Sequence, residues 1–279
     1  SAIALAVLAL LAGGPASPPA AAQQTYTPFL DETFSASGQQ LDLYVPAGPP
    51  LRTALVFIHG GGFVDVTNQK ESLSGYAQLY AQGGFVSATI NYRLAPEHVF
   101  PAALDDVQAA VRWLRKHGRA YGYPAPRRIV VIGYSAGGNL ALMAGLADRS
   151  GIAGIVSGAG PSDLRALVAD TPFEQLKEAI ASYLGGQNPD AASPLFRVSR
   201  GDPRVLLFQG DSDVLVPLGQ AQVLADKLKR YRVPVTLRVF PGAGHEIMGP
   251  SPYLGQLLTE MTQFLLAIER GHGRPAAAD

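Results

Sequence analysis

The chain has 279 residues, 47% of them hydrophobic, and its 22 basic and 22 acidic side chains cancel to no formal net charge. That length suits one sizeable α/β core, and the balanced charge offers no electrostatic footprint for a nucleic acid. With no cysteine in the chain, disulfides, thiolate metal ligands and cysteine nucleophiles are excluded outright.

The chain opens "SAIALAVLALLAGGPASPPAAAQQ". The apolar run from Ala2 to Ala12 is shorter than the roughly 20 residues of a membrane span. Gly, Pro and Ala lead from it to Ala20-Ala21-Ala22 before Gln23, an A-x-A-like cleavage site. This predicts a secretory signal over residues 1–22, a secreted or periplasmic product with no membrane attachment after cleavage, one domain over 23–270 and a flexible tail over 271–279. The rival reading is a disordered Ala/Pro tail.

From Thr25 to Pro46, "TYTPFLDETFSASGQQLDLYVP" alternates around Ser37-Gly38 and predicts an antiparallel hairpin. Strand-like runs follow at 54–59, 85–91, 128–133, 152–158, 204–210 and 235–240. Their near-continuous Val, Ile, Leu and Phe suit strands covered on both faces, as in a parallel sheet. Between them, "AALDDVQAAVRWLRKHG" puts Leu104, Val107, Val111 and Leu114 on one helical face. Its acids lie in the first turn and its bases and a glycine at the end, as the helix dipole favours. "LGQAQVLADKLKRY" and "SPYLGQLLTEMTQFLLAIER" read as further amphipathic helices. The alternation predicts a doubly wound α/β sheet. Residues 161–203, the longest stretch without a strand, are expected to form a helical insertion over the sheet edge.

In "RRIVVIGYSAGGNLALMAG" a buried strand gives way to a small-residue helix across Gly133-Tyr134-Ser135-Ala136-Gly137. A G-x-S-x-G turn of this kind holds its serine strained, with the hydroxyl exposed above the sheet. The helix N-terminus beyond it points amide N–H groups at developing negative charge. A second glycine-rich site, "HGGGF" (His59 to Phe63), follows the strand "ALVFI" and leaves backbone N–H groups unobstructed, as an oxyanion hole requires. A phosphate loop would want Lys-Ser/Thr after the glycines or G-x-G-x-x-G opening a helix, and has neither.

Serine needs a base, and the chain has five histidines. His117 ends an amphipathic helix, His272 lies in the tail, His59 is placed to brace the glycine loop, and His98 sits in the turn-rich "RLAPEHVFP". His245, in the glycine loop "FPGAGHEIMG" after the last strand, is the candidate base. The third member should be an acid between Ser135 and His245, and "FQGDSDVLVP" offers Asp211 and Asp213. Asp211 directly follows the strand and suits a turn former better.

In combination these motifs resemble α/β-hydrolase esterases. "HGGGF", "NYRLAPEHVFPAALDD" and "GYSAGGNLA" resemble the hormone-sensitive-lipase-like carboxylesterases. "GDSDVLVPLGQAQVLADKL" and "FPGAGHEI" resemble compact relatives around bacterial feruloyl esterases, acetyl xylan esterases and dipeptidyl-peptidase-like hydrolases. The resemblance spans about residues 40–268. It implies the α/β-hydrolase fold, Ser135 as nucleophile, His245 as base, and Gly61, Gly62 and Ala136 as backbone oxyanion donors. In the compact esterases the acid stands four residues before the proline of "VLVP", which selects Asp213. Two departures argue against a long-acyl lipase: Tyr134 replaces the usual acid before the serine, and the residues from Thr25 to "HGGG" offer no amphipathic cap helix.

Arg93, Glu97 and Asp105, around Pro96 and Pro101, are expected to pin loops beneath the site. The expected activity is a serine carboxylesterase acting on short-acyl or aryl small-molecule esters through an acyl-enzyme. The alternatives are an amide hydrolase of the same fold, arylformamidase- or peptidase-like, or a catalytically dead hydrolase serving as a binding module. No cofactor is implied, and no histidine pair has metal-ligand spacing.

Overall fold

The computed structural model describes residues 25–147 and 151–271. The expected signal segment, His272 and all of the expected tail but Gly271 lie outside them. The chain begins with an antiparallel hairpin, β1 (Tyr26–Thr33) and β2 (Gln40–Pro46). It continues through β3 (Thr53–Ile58), α1 (Ser74–Gln82), β4 (Val86–Ile90), α2 (Ala102–His117), β5 (Arg128–Tyr134) and α3 (Ala136–Ala147). After β6 (Ile152–Gly158) come α4 (Leu164–Asp170) and α5 (Glu174–Leu184), then β7 (Arg204–Gly210), α6 (Leu218–Arg230), β8 (Val235–Phe240) and α7 (Leu254–Glu269).

The eight strands form one sheet in the order β1-β2-β4-β3-β5-β6-β7-β8. β2 runs antiparallel to both neighbours, and every pairing from β4 to β8 is parallel. This is the mostly parallel, doubly wound sheet with an N-terminal antiparallel hairpin that the alternation predicts.

The period of two along a strand divides the core. Ala54, Val56 and Ile58 of β3 join Leu104, Val107 and Val111 of α2, Leu140 of α3 and Leu224 of α6 on one face. Leu55 and Phe57 join Tyr80 of α1 and Leu257, Met261 and Leu265 of α7 on the other. β3 is buried at every position, hence its unbroken apolar reading. Parallel register then brings strand ends together: Ile58 pairs with Gly133, and Gly210 with Phe240. The loops after β3, β5, β7 and β8 therefore meet at the carboxyl end of the sheet, where open α/β sheets place their sites.

The stretch 161–203 differs from the expectation. The sheet edges are β1 and β8, whereas this segment connects the interior neighbours β6 and β7 and lies against the loop after β3. Tyr183 of α5 stacks on Phe63 with ring centroids 3.8 Å apart, and Phe100 meets Tyr183 edge-on. Ile180, Tyr183 and Leu184 form the buried face of α5, and Tyr183 carries its contact with that loop.

Candidate active site

β5 passes into α3 through Ser135 alone. Its φ is +55°, in the left-handed region, at a cost of about 1–3 kcal/mol for a non-glycine residue. The conformation is held from both sides: the Ser135 N–H donates to the Gly158 carbonyl at 2.8 Å, and its carbonyl accepts the Asn139 N–H at 3.1 Å. The flanking glycines admit no side chain. A Cβ on Gly133 would lie 2.0 Å from the Gly137 carbonyl oxygen, and one on Gly137 would lie 2.1 Å from that of Ile58. The Asn139 amide fastens the start of α3 by donating to the carbonyls of Pro161 and Ala192.

The Ser135 hydroxyl lies 3.0 Å from Nε2 of His245, and Nδ1 of His245 lies 2.8 Å from Oδ2 of Asp213. Three elements thus bring together residues 110 and 32 positions apart. Asp213 is 4% exposed. Its Oδ1 accepts the N–H groups of Leu215 and Val216, at 3.0 and 2.9 Å, and its Oδ2 also accepts Nε2 of Gln209 at 2.9 Å. Gln209, fully buried at the end of β7, donates as well to the Val216 carbonyl. Donors therefore meet both oxygens, as a buried carboxylate needs. Asp211 is exposed and accepts the Gly242 N–H at 2.7 Å, the role of a turn former.

The "HGGGF" loop abuts the serine turn. A Cβ on Gly60 would come within 3.3 Å of Cβ of Ser135. Gly61, Gly62 and Phe63 all have positive φ, at +100°, +59° and +70°. Among the described residues, no hydrogen bond uses the N–H of Gly61, Gly62 or Ala136. Ala179 of α5 covers this loop, 3.8 Å from where a Cβ on Gly62 would stand. His59 braces it from within: the ring contacts the Gly60 carbonyl through Nδ1 at 2.8 Å and stacks on Tyr92, whose hydroxyl donates to the carbonyls of His59 and Gly60. Burial pushes the His59 imidazole down to about 4, against the opposing pull of the Gly60 carbonyl. At neutral pH it is uncharged, with Nδ1–H as the donor.

Arg93 does pin the loop ahead of α2, but its partner is Asp106, not Asp105. The Arg93 N–H and Nε donate to Oδ2 of Asp106 at 2.9 and 2.8 Å. Asp106 shares the inner face of α2 with Ala103, Val107 and Ala110, while Asp105 points to solvent. Glu97 and His98 are exposed, and Nδ1 of His117 contacts the Trp113 carbonyl in the last turn of its own helix. Among the described residues, no three His, Asp or Glu side chains converge as metal ligands would. Gln209 and Tyr134, whose hydroxyl donates to the His245 carbonyl, are site residues with no motif of their own. The departure from an acid at position 134 was the one signal.

Residues 41–228 match the BD-FAE family. The chain belongs to that family of α/β-hydrolase esterases. It is similar to the esterase LipC of Mycobacterium tuberculosis, 31% identical over 74% of this chain and 56% of that protein. It is similar also to esterase LipU of the same organism, 30% identical over 76% of each chain. Solved structures share the family's fold. A truncated carbohydrate esterase from gut microbiota superposes with a TM-score of 0.73 at 24% identity, covering 87% of this chain and 99% of that one. Esterase B from Lactobacillus rhamnosis superposes with a TM-score of 0.76 at 19% identity, covering 98% of each.

Proposed function

We propose that the protein is a serine carboxylesterase that hydrolyses short-acyl or aryl esters through an acyl-enzyme. The observation that carries this reading is the Ser135–His245–Asp213 chain of contacts, at 3.0 and 2.8 Å. Asp213 keeps the histidine proton on Nδ1 and leaves the Nε2 lone pair facing the Ser135 hydroxyl. Ser135 Oγ attacks the ester carbonyl carbon while Nε2 takes the hydroxyl proton. The carbonyl electron pair moves onto oxygen, and the N–H groups of Gly61, Gly62 and Ala136 hold that oxyanion. As the tetrahedral centre collapses, the imidazolium returns the proton to the departing alkoxide, leaving an acyl-serine and a free alcohol. Water, deprotonated by the same nitrogen, then cleaves the acyl-serine to a carboxylic acid and restores the hydroxyl.

The acyl pocket is assigned to short chains because the described residues ahead of "HGGGF" form strands and turns rather than helices that would wall a long apolar groove. Export, and a single domain over 23–270, remain part of the same proposal and rest on the sequence alone. A series of p-nitrophenyl esters, each with its matching anilide, tests the substrate class. Acetyl to butyryl esters are expected to outpace chains of ten or more carbons, and esters to outpace anilides. Preferred turnover of the anilides, or of emulsified long-chain glycerides, would contradict it.

A further inference from the structure

Tyr134 precedes Ser135 at the end of β5, where the lipase-like esterases usually carry an acid. Its side chain turns towards the loop after β8: the ring lies 5.2 Å from the His245 ring, tilted by 40°, and the hydroxyl donates to the His245 carbonyl. That contact needs a donor. An ionised carboxylate only accepts, so the acid of the lipase-like group could not make it, and the phenol can. Burial, with the Glu246 and Asp213 charges adding to it, raises the Tyr134 hydroxyl well above its ordinary range and keeps it protonated.

Asp213 holds the imidazole at Nδ1, at 2.8 Å, and further contacts hold the loop that carries it. Gly242 has φ +74°, and the backbone just ahead of His245 packs on the end of β7, where a Cβ on Gly210 would stand 2.1 Å from the Ala243 carbonyl oxygen and 2.6 Å from that of Gly244. Ser212 N–H reaches the Ala243 carbonyl at 3.0 Å, and Tyr76 donates to the Met248 carbonyl at 2.6 Å. The His245 carbonyl also accepts the Ile247 N–H at 2.9 Å, a bond within the loop itself. Tyr134, by contrast, is joined covalently to Ser135. It links the two sides of the 3.0 Å Oγ–Nε2 contact through a single side chain.

We propose that Tyr134 is a positioning residue, whose phenol holds the His245 backbone and ring so that Nε2 stays aligned on the Ser135 hydroxyl. The inference rests on the roles proposed above for Ser135 and His245. An ångström of misplacement between reacting groups can cost about a hundredfold in rate, so loss of this tether should act on kcat.

The test compares Tyr134→Phe with Tyr76→Phe, each of which removes one hydroxyl that donates to the same loop. With p-nitrophenyl acetate, Tyr134→Phe should lower kcat about ten- to hundredfold and leave KM within about twofold. Tyr76→Phe should leave kcat within about threefold while lowering the melting temperature at least as much. The downfield Nδ1–H proton resonance of His245 should shift or broaden in Tyr134→Phe and persist in Tyr76→Phe. The proposal is overturned if Tyr134→Phe keeps kcat within twofold with an unaltered resonance, or if Tyr76→Phe matches its loss. If Ser135→Ala is inactive while Tyr134→Phe is unaffected, only the positioning role fails; activity retained in Ser135→Ala would overturn the underlying reading as well.

Discussion

Asp213 is buried with hydrogen bonds from His245, Gln209, Leu215 and Val216, whereas Asp211 two residues earlier faces solvent and holds the Gly242 N–H. The two should respond differently to loss of charge. Asp213→Asn removes the acceptor that fixes the His245 tautomer, and kcat at neutral pH should fall by about 10⁴. Asp211→Asn should leave kcat within a few-fold and cost about 1 kcal/mol for a weakened turn hydrogen bond. Measuring kcat and the urea midpoint of both variants checks the pair; the reverse ranking would move the role to Asp211. At this scale the sequence is legible where chemistry confines the residue type and the loop. Ser135 and His245 stand out in that way, whereas the choice of Asp213 over Asp211 and the roles of Gly61 and Gly62 come from the resemblance to known esterases. Gln209 and Tyr134 do not stand out, because each works through a contact whose far end, the Asp213 carboxylate or the His245 carbonyl, the local sequence does not specify. Asp106 was missed for a plainer reason: with two adjacent aspartates, the helical phase alone decides which one faces inward.

The glycines of the serine turn are set by the approach of two elements, and substitution should show it. In Gly137→Ala the new methyl would stand 2.1 and 2.4 Å from the carbonyl oxygens of Ile58 and His59, backbone atoms that cannot swing away. Such overpacking should cost about 3 kcal/mol or more and displace the "HGGGF" loop from Ser135. Gly244→Ala, in the histidine loop, meets open space and should be stable to within about 0.5 kcal/mol. Urea denaturation of both variants separates close packing from glycine content as the cause, and equal losses would refute the packing account. Elements were legible in proportion to their pattern. β3 is an unbroken apolar run and α2 follows a clean helical period of burial, while α1, with Tyr76, Gln78, Tyr80 and Gln82 interleaved, shows too little contrast between its faces to stand out. The place of 161–203 is not legible because local sequence does not say which strands are neighbours; the pairing of β6 with β7 makes the segment a connection between interior strands.

Across the whole molecule, the carboxyl end of the sheet carries both the site and a buried base, and this couples stability to pH. His59 is 2% exposed and its imidazole sits at about 4, below the 6.5 of a free side chain. Above pH 6.5 it is neutral in both folded and unfolded chains and costs nothing. Below that, the unfolded chain takes up a proton that the folded one refuses, so stability falls as pH drops from 6.5 towards 4, by roughly 3 kcal/mol in all. His59→Asn keeps an amide donor for the Gly60 carbonyl but cannot titrate, so its urea midpoint should fall less steeply over that interval. An unchanged slope would show that other groups set the acid sensitivity. The central claim is that Ser135 is the nucleophile, and labelling with a fluorophosphonate followed by peptide mass spectrometry tests it most directly. The account predicts one adduct per chain, on Ser135, with esterase activity lost in step, and no labelling of a folded Ser135→Ala variant whose kcat is at least 10⁴-fold lower. An adduct on another residue, or a Ser135→Ala variant keeping more than about a hundredth of the wild-type kcat, would contradict it.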